Sequence, residues 1–240
     1  MLKYQAIADD LRASIEDGSL KPNDRLPTVV ELCDLYNVSK ITVKRALDLL
    51  VEQGLVASRR GSGTYVKNTT ELPDDSLLFT HSDRAMGFTT EHSAKKESVT
   101  SVVYDFRIET PGAEVARHLN LQPDDFAYYH CRTRLLDGVP IVIEYTYMPL
   151  DLIPGLKRSH LEGSVFGYIR ETLGLKISSF HRIVRAVKAT TEEAERLDIK
   201  PGDPLLEMEQ VGFLDDGVPF EYSVARNVGE RYELRDVNVL

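Results

Sequence analysis

Two arginines separated by one residue, Arg132 and Arg134 in HCRTRLL, sit in a stretch whose alternation reads as a β-strand. Alternate residues of a strand share a face, so both guanidinium groups point the same way. Two carboxylates occupy comparable apolar-rich stretches. Glu144 lies four residues past Pro140 in PIVIEYTY, and Glu221 lies two past Pro219 in VPFEYS, positions of equal parity. Charges on such strands are costly to bury unless they pair or bind something. An internal salt-bridge network and a ligand site both meet that requirement, and the pattern leaves both open.

A second set is basic. VSKITVKRALDLL, Val38 to Leu50, places Lys40 and Lys44 four residues apart with Ile41, Thr42 and Arg45 near them. Behind them runs an apolar stripe of Val43, Ala46, Leu47 and Leu50. The recognition helix of a helix-turn-helix has this two-sided character. Lysine and arginine donate to guanine O6 and N7, while Ser39 and Thr42 can donate to phosphate. The solvated face of an ordinary surface helix looks much the same. RRGSGTYV adds Arg59 and Arg60 at a turn whose glycines, Gly61 and Gly63, allow close backbone approach. Basic residues on a thin turn suit a narrow minor groove or its phosphates.

The elements around these groups follow from periodicity. Tyr4, Ile7, Ala8, Leu11 and Ile15 mark a first helix to about Asp17, stopped by Gly18. Thr28 and Glu31 have capping-box spacing for a short second helix, and Ser39 can cap the third. Gly54 ends that helix, and LVASRRGSGTYVK reads as a hairpin. Residues 68–76, polar and containing Pro73, read as a linker. Beyond them a weak echo occurs twice: short helix, L-x-x-x-P turn, strand, DGVP turn, strand. It predicts a duplicated helix-plus-hairpin unit on an antiparallel α+β sheet. Between the copies, GSVFGYIRETLGLKI reads as a helix starting near Ser164.

Charge divides at the same place. Residues 1–67 hold ten Lys/Arg and nine Asp/Glu; residues 68–240 hold nineteen and twenty-nine, with all six histidines. Of two modules within a chain of net charge -9, only the first tolerates a polyanion. Cys33 and Cys131 lie far apart, which gives no disulfide framework and predicts a reducing, cytoplasmic setting. No apolar run approaches the ~20 residues of a membrane span. The histidines are scattered singly, and nucleophile-elbow, Walker and paired-cysteine or HExxH metal motifs are missing, so no catalytic residue, metal or cofactor is expected.

Residues 4–67 resemble the winged helix-turn-helix of the GntR family of bacterial transcription regulators. The matching stretches are YQAIADDLRASIEDGSLKPNDRLPT, VSKITVKRALDLLVEQGLV and RRGSGTYV. The resemblance implies that Arg25, Ser39, Lys40, Thr42, Lys44 and Gly61 touch DNA. Where relatives read LPSERELA this chain has LPTVVELC, so Val29 and Val30 replace a Glu and an Arg, and one habitual contact is missing.

Residues 77–240 are similar to the UTRA effector domain of the HutC branch, a fold related to chorismate lyase. That similarity rests on RTRLLDGVPIVIEYTYMP, GSVFGYIRETLGLKI, TTEEAERLDIKPGDPLL, DDGVPFEYS and GERY. It implies ligand contacts at Arg132, Arg134, Glu144, Ser164 and Glu221. In relatives that bind phosphorylated amino sugars, the arginines hold the phosphate and the carboxylates take hydroxyls. A serine of those relatives falls at Leu78 and tyrosines fall at Phe166 and Asn227, with His81 and Ser82 as candidates to compensate.

The expectation is an α+β chain: a winged helix-turn-helix over residues 1–67, a linker over 68–76, and an antiparallel-sheet effector domain over 77–240. Its function would be that of a transcriptional regulator, foremost a repressor. It would bind double-stranded operator DNA as a homodimer and be released by a small metabolite, a phosphosugar or related sugar in front. A ligand-independent DNA-binding protein and a lyase-like enzyme fused to a DNA-binding module are the rivals.

Overall fold

Thr28 and Glu31 show how locally the first part of the chain is specified. The Thr28 hydroxyl accepts the Glu31 N–H at 3.3 Å, while the Glu31 carboxylate accepts the Thr28 N–H at 2.6 Å. This box opens α2 (Val29–Tyr36), which ends at Asn37 in the left-handed region. Two residues later the Ser39 hydroxyl accepts the Thr42 N–H at 3.3 Å and opens α3 (Lys40–Glu52). Before them runs α1 (Lys3–Glu16), and after them the antiparallel pair β1 (Val56–Arg59) and β2 (Gly63–Val66). The predicted order of helices and hairpin is the observed one.

The computed structural model describes residues 2–59, 61–67, 88–89, 92 and 97–234. Arg60, the expected linker 68–76, Leu78, His81 and Ser82 lie outside the described residues. The described residues fall into two compact units, those up to Lys67 in the first and those from Phe88 to Leu234 in the second.

In the first unit the apolar stripes meet in one core: Ile7, Ala8 and Leu11 from α1, Leu32 from α2, and Val43, Ala46, Leu47 and Leu50 from α3. Val56 and Val66 close it from the hairpin. Each large aliphatic side chain so buried contributes about 1.5–3 kcal/mol. Arg25 joins the hairpin through a backbone bridge to Tyr65, and the Leu26 N–H donates to the Thr64 carbonyl at 2.8 Å. The stretch before α2 thereby becomes a third, short member of the wing.

The second unit is one six-stranded antiparallel sheet in the order β3-β4-β5-β8-β7-β6. Its elements are β3 (Val99–Glu109), α4 (Ala113–Leu119), β4 (Ala127–Leu136), β5 (Val139–Pro149), α5 (Arg158–Glu162), α6 (Val165–Gly167), β6 (Ile177–Lys188), α7 (Thr191–Leu197), β7 (Pro204–Leu214) and β8 (Pro219–Val228). The echo seen in the sequence is real and one strand longer than predicted. Strand, helix and hairpin occur twice, as β3-α4-β4-β5 and β6-α7-β7-β8, and β5 meets β8 at the centre. Each hairpin carries a bulge at the same place. Arg134 pairs with Val142 and Leu135 with Pro140, which leaves Ile141 over; Gly212 pairs with Glu221 and Phe213 with Pro219, which leaves Phe220 over.

Helices cover both faces. Leu161 of α5, Val165 of α6 and Ile169 pack with Val103, Tyr128, Met148 and Phe220 on one side. Ala194 and Leu197 of α7 pack with Cys131, Ile143, Leu205 and Val228 on the other. The buried Glu193 of α7 is satisfied there: it accepts the Thr190 N–H at 3.0 Å, the Tyr145 hydroxyl at 3.1 Å and Arg226 Nη1 at 2.5 Å. Arg231, in the closing GERY, donates to the carbonyls of Pro140 and Leu197 and ties the end of the strand region to both halves.

The predicted regular helix after Ser164 is different. Ser164 caps a single turn, and the chain then widens into a π turn over Tyr168–Thr172. The Ser164 hydroxyl accepts the Gly167 N–H at 3.0 Å, and glycine at that position has little helix propensity of its own. The Tyr168 hydroxyl donates to the Pro154 carbonyl at 2.7 Å and pulls the turn toward the loop before α5.

Candidate functional site

The exposed side of α3 carries Lys40, Ile41, Lys44 and Arg45, opposite the buried stripe. The hydroxyls of Ser39 and Thr42 lie 3.0 Å apart and serve the cap, so the lysines stand clear while the two hydroxyls engage each other. Arg45 is turned differently. Its guanidinium lies over the Tyr4 ring, 4.3 Å from the centroid, which holds it against α1. Arg25 lies across the wing, where a Cβ placed on Gly63 would stand 2.7 Å from Arg25 Nε. Gly63 has φ +132 and Gly61 φ +77, so both wing glycines use backbone that side-chain-bearing residues rarely adopt. Arg59 pairs with Gly63 across the hairpin. Cationic side chains therefore stand on the leading turn of α3 and on the wing, the two elements that such a fold can present to a duplex.

The second constellation sits on the face of the sheet that α5 and α6 cover. Arg132 pairs across β4 and β5 with Glu144, and the row continues through Ala225, so Arg132, Glu144, Ser223 and Glu221 share one face. Arg132 Nε donates to Glu144 at 2.7 Å, and its Nη1 donates to the Leu161 carbonyl at 2.6 Å. Burial pushes the Glu144 carboxyl up, but Arg132 and Arg134 beside it outweigh this and hold it below the usual carboxylate range. One arginine and one carboxylate thus form the internal pair that the sequence left open.

The other two are left over. Arg134, 2% exposed, lies with its guanidinium 4.9 Å from the Phe88 ring centroid and donates from Nη2 to the Thr89 hydroxyl at 2.5 Å. Its Nε has no hydrogen-bond partner among the described residues. Burial, with Arg132 adding like charge, lowers its pKa to about 10. Among the described residues, Glu221 has no cation in an ion pair. Its Oε1 accepts the Gln210 side-chain N–H at 2.9 Å and the Ser223 hydroxyl at 2.8 Å. Burial raises its pKa; those two bonds oppose the shift, and the charge of Glu144 adds to it.

Arg134 thus keeps a spare donor, and Glu221 keeps a carboxyl held by neutral partners, on the same face of the sheet. Ser164 is engaged as the cap of α6, beside this face. Phe166 belongs to an aromatic group, stacked on Phe180 at 5.9 Å and edge-on to Phe220 at 5.8 Å. A Cβ at Gly212 would come within 2.7 Å of Phe220 and 2.8 Å of Phe180, so that glycine makes room for the group.

Three contributors were missed in the sequence. Thr89 and Phe88, which hold Arg134, stand in GFTTEH, which carries no motif that marks them. His130 lies on the same face as Arg132, buried, with both ring nitrogens unpartnered among the described residues. Burial first, then the charge of Arg132, drives its pKa down to about 3, so the ring is neutral. No helix among the described residues is long and apolar enough to cross a membrane.

Comparison with known proteins agrees with the two-part fold. Residues 3–66 match the family described as "Bacterial regulatory proteins, gntR family", and residues 94–233 match the UTRA domain. The chain is 38% identical to the HTH-type transcriptional regulator GmuR of Bacillus subtilis, over 100% of this chain and 99% of that protein. It is 34% identical to the mannosyl-D-glycerate transport/metabolism system repressor MngR of Escherichia coli, over 92% of this chain and 89% of that one. Among solved structures, possible transcriptional regulator YydK from Bacillus subtilis superposes with a TM-score of 0.80 at 32% identity, covering 99% of this chain and 100% of that one. With a winged helix-turn-helix ahead of a UTRA sheet, and with relatives named as regulators and repressors, the chain belongs to the gntR family of bacterial regulatory proteins and is a transcriptional regulator, not an enzyme.

Proposed function

We propose that this regulator is a repressor that binds a near-palindromic operator as a homodimer and is released by an acidic sugar derivative, a phosphorylated sugar foremost. The observation that carries the ligand class is Arg134: a buried guanidinium with no carboxylate paired to it and one N–H unused among the described residues. Planar guanidinium suits phosphate or carboxylate. Glu221, at the other end of the same face, suits a sugar hydroxyl. One relative is named for mannosyl-D-glycerate, a sugar that carries an acid group, which supports the class.

In this reading residues 1–67 bind DNA in the cytoplasm, residues 77–240 bind the ligand and dimerise, and residues 68–76 join them. Two copies then present two α3 helices to two half-sites. The effector acts by differential affinity for the DNA-bound and released arrangements, which makes the coupling reciprocal. The test is titration of phosphosugars, neutral sugars and sugar acids into the operator complex, read by fluorescence anisotropy, with mass measured by light scattering. Release by an anionic sugar, lost in Arg134→Ala, is expected. Operator binding indifferent to every ligand, with no thermal shift, would favour a ligand-independent DNA-binding protein.

A further inference from the structure

Among the described residues of the first unit, Ile41 is the most exposed large hydrophobic side chain, at 80%. It is the second residue of α3, and the residues around it on the outer side are Lys40, Lys44 and Arg45. The apolar stripe that holds the helix in the fold is complete without it: Val43, Ala46, Leu47 and Leu50 are all buried. Thr42, next along, is half-buried and its hydroxyl meets that of Ser39. Among these residues Ile41 is the exposed aliphatic side chain of the leading turn.

An aliphatic side chain cannot hydrogen-bond a base edge. In the major groove its counterpart is the C5-methyl group of thymine. We infer that Ile41 is a specificity-determining residue that reads a thymine methyl, while Lys44 addresses a neighbouring base pair or its phosphate. Ile41 and Lys44 are three residues apart, about 4.5 Å along the helix axis, comparable with the ~3.4 Å between base pairs. The occupant is duplex DNA because the apolar group is ringed by cations, which suits phosphate flanks on both sides of the groove. The inference rests on the reading that α3 lies in that groove.

The experiment uses the full chain and an operator selected from a random duplex library. Each thymine is replaced singly by deoxyuridine, which removes the methyl group and keeps the pairing. One replacement per half-site is expected to weaken wild-type binding about three- to tenfold. Ile41→Ala should lose a similar factor on the thymine operator and be insensitive to that one replacement, with Ile41→Val intermediate. Losses that multiply, an Ile41→Ala variant that binds like wild type, or one that changes the oligomeric state by light scattering would each overturn the inference. Lys44→Ala separates the two levels. If Lys44→Ala weakens binding and Ile41→Ala does not, the groove reading stands and the methyl contact falls. If neither variant changes operator binding, both fall.

Discussion

The side chain of Arg25 passes over the backbone of Gly63, so closely that a Cβ there would stand 2.7 Å from Nε and 3.3 Å from Cζ. A wing residue and the loop before α2 are thereby fitted to each other. With φ +132 the position is strained for any other residue as well.

Gly63→Ala should therefore cost the first unit about 1–3 kcal/mol in thermal or denaturant unfolding. Adding Arg25→Ala should relieve the steric part and leave the backbone part. A Gly63→Ala variant as stable as wild type would show that Arg25 and the wing can rearrange freely.

Arg132 and Arg134 should behave oppositely although they are neighbours on one face. Arg132→Met leaves Glu144 without its cation and should destabilise the second unit by about 3 kcal/mol, largely recovered by adding Glu144→Leu. Arg134→Met removes a buried charge with no carboxylate partner, so stability should hold or rise while the effector response is lost. Equal melting losses in the two single variants would contradict this division.

Glu221 supplies a pH dependence with a definite sign. Its folded pKa lies above the ordinary 4.5, raised chiefly by burial. Its contribution to stability is thus full below about pH 4.5 and lost as pH rises through the folded value. Glu221→Gln keeps an acceptor for Gln210 and Ser223 and removes that loss. The variant should melt above wild type at about pH 8 and match it at about pH 4. A difference independent of pH would assign the effect to packing.

Lys44→Ala should weaken operator binding across sequences and reduce the slope of log affinity against log salt by about 0.9 per subunit, about 1.8 for the dimer, if each Lys44 neutralises one phosphate. An unchanged slope with weaker binding would move Lys44 from phosphate to base edge.

The first unit was legible nearly residue by residue, because caps, glycine stops and apolar spacing act over three or four positions. Thr28, Ser39 and the stripe Val43–Leu50 needed nothing from afar. The sheet was legible only as its hairpins. Its outer strands β3 and β6 pair on one side only and expose residues such as Val102 and Ile183, which blurs their alternation. At the buried site, parity put Arg132 and Arg134 on one face and gave Glu144 and Glu221 equivalent positions, but that all four share one face follows from the register of β4, β5 and β8. Which arginine was already paired was invisible, since Leu161 and Thr89 are far away in sequence. Arg45 looked free in the helix pattern because its partner, Tyr4, lies on another helix.

The central seam of the sheet has a mechanical meaning. Six registered pairs, Val142–Asn227 to Tyr147–Tyr222, join β5 to β8, against ten between β4 and β5. Arg134 belongs to the half before the seam and Glu221 to the half after it. In the proposed reading, a molecule held by both would be a rivet across the narrowest join of the domain, and the domain would resist being pulled apart at the line where the two repeats meet.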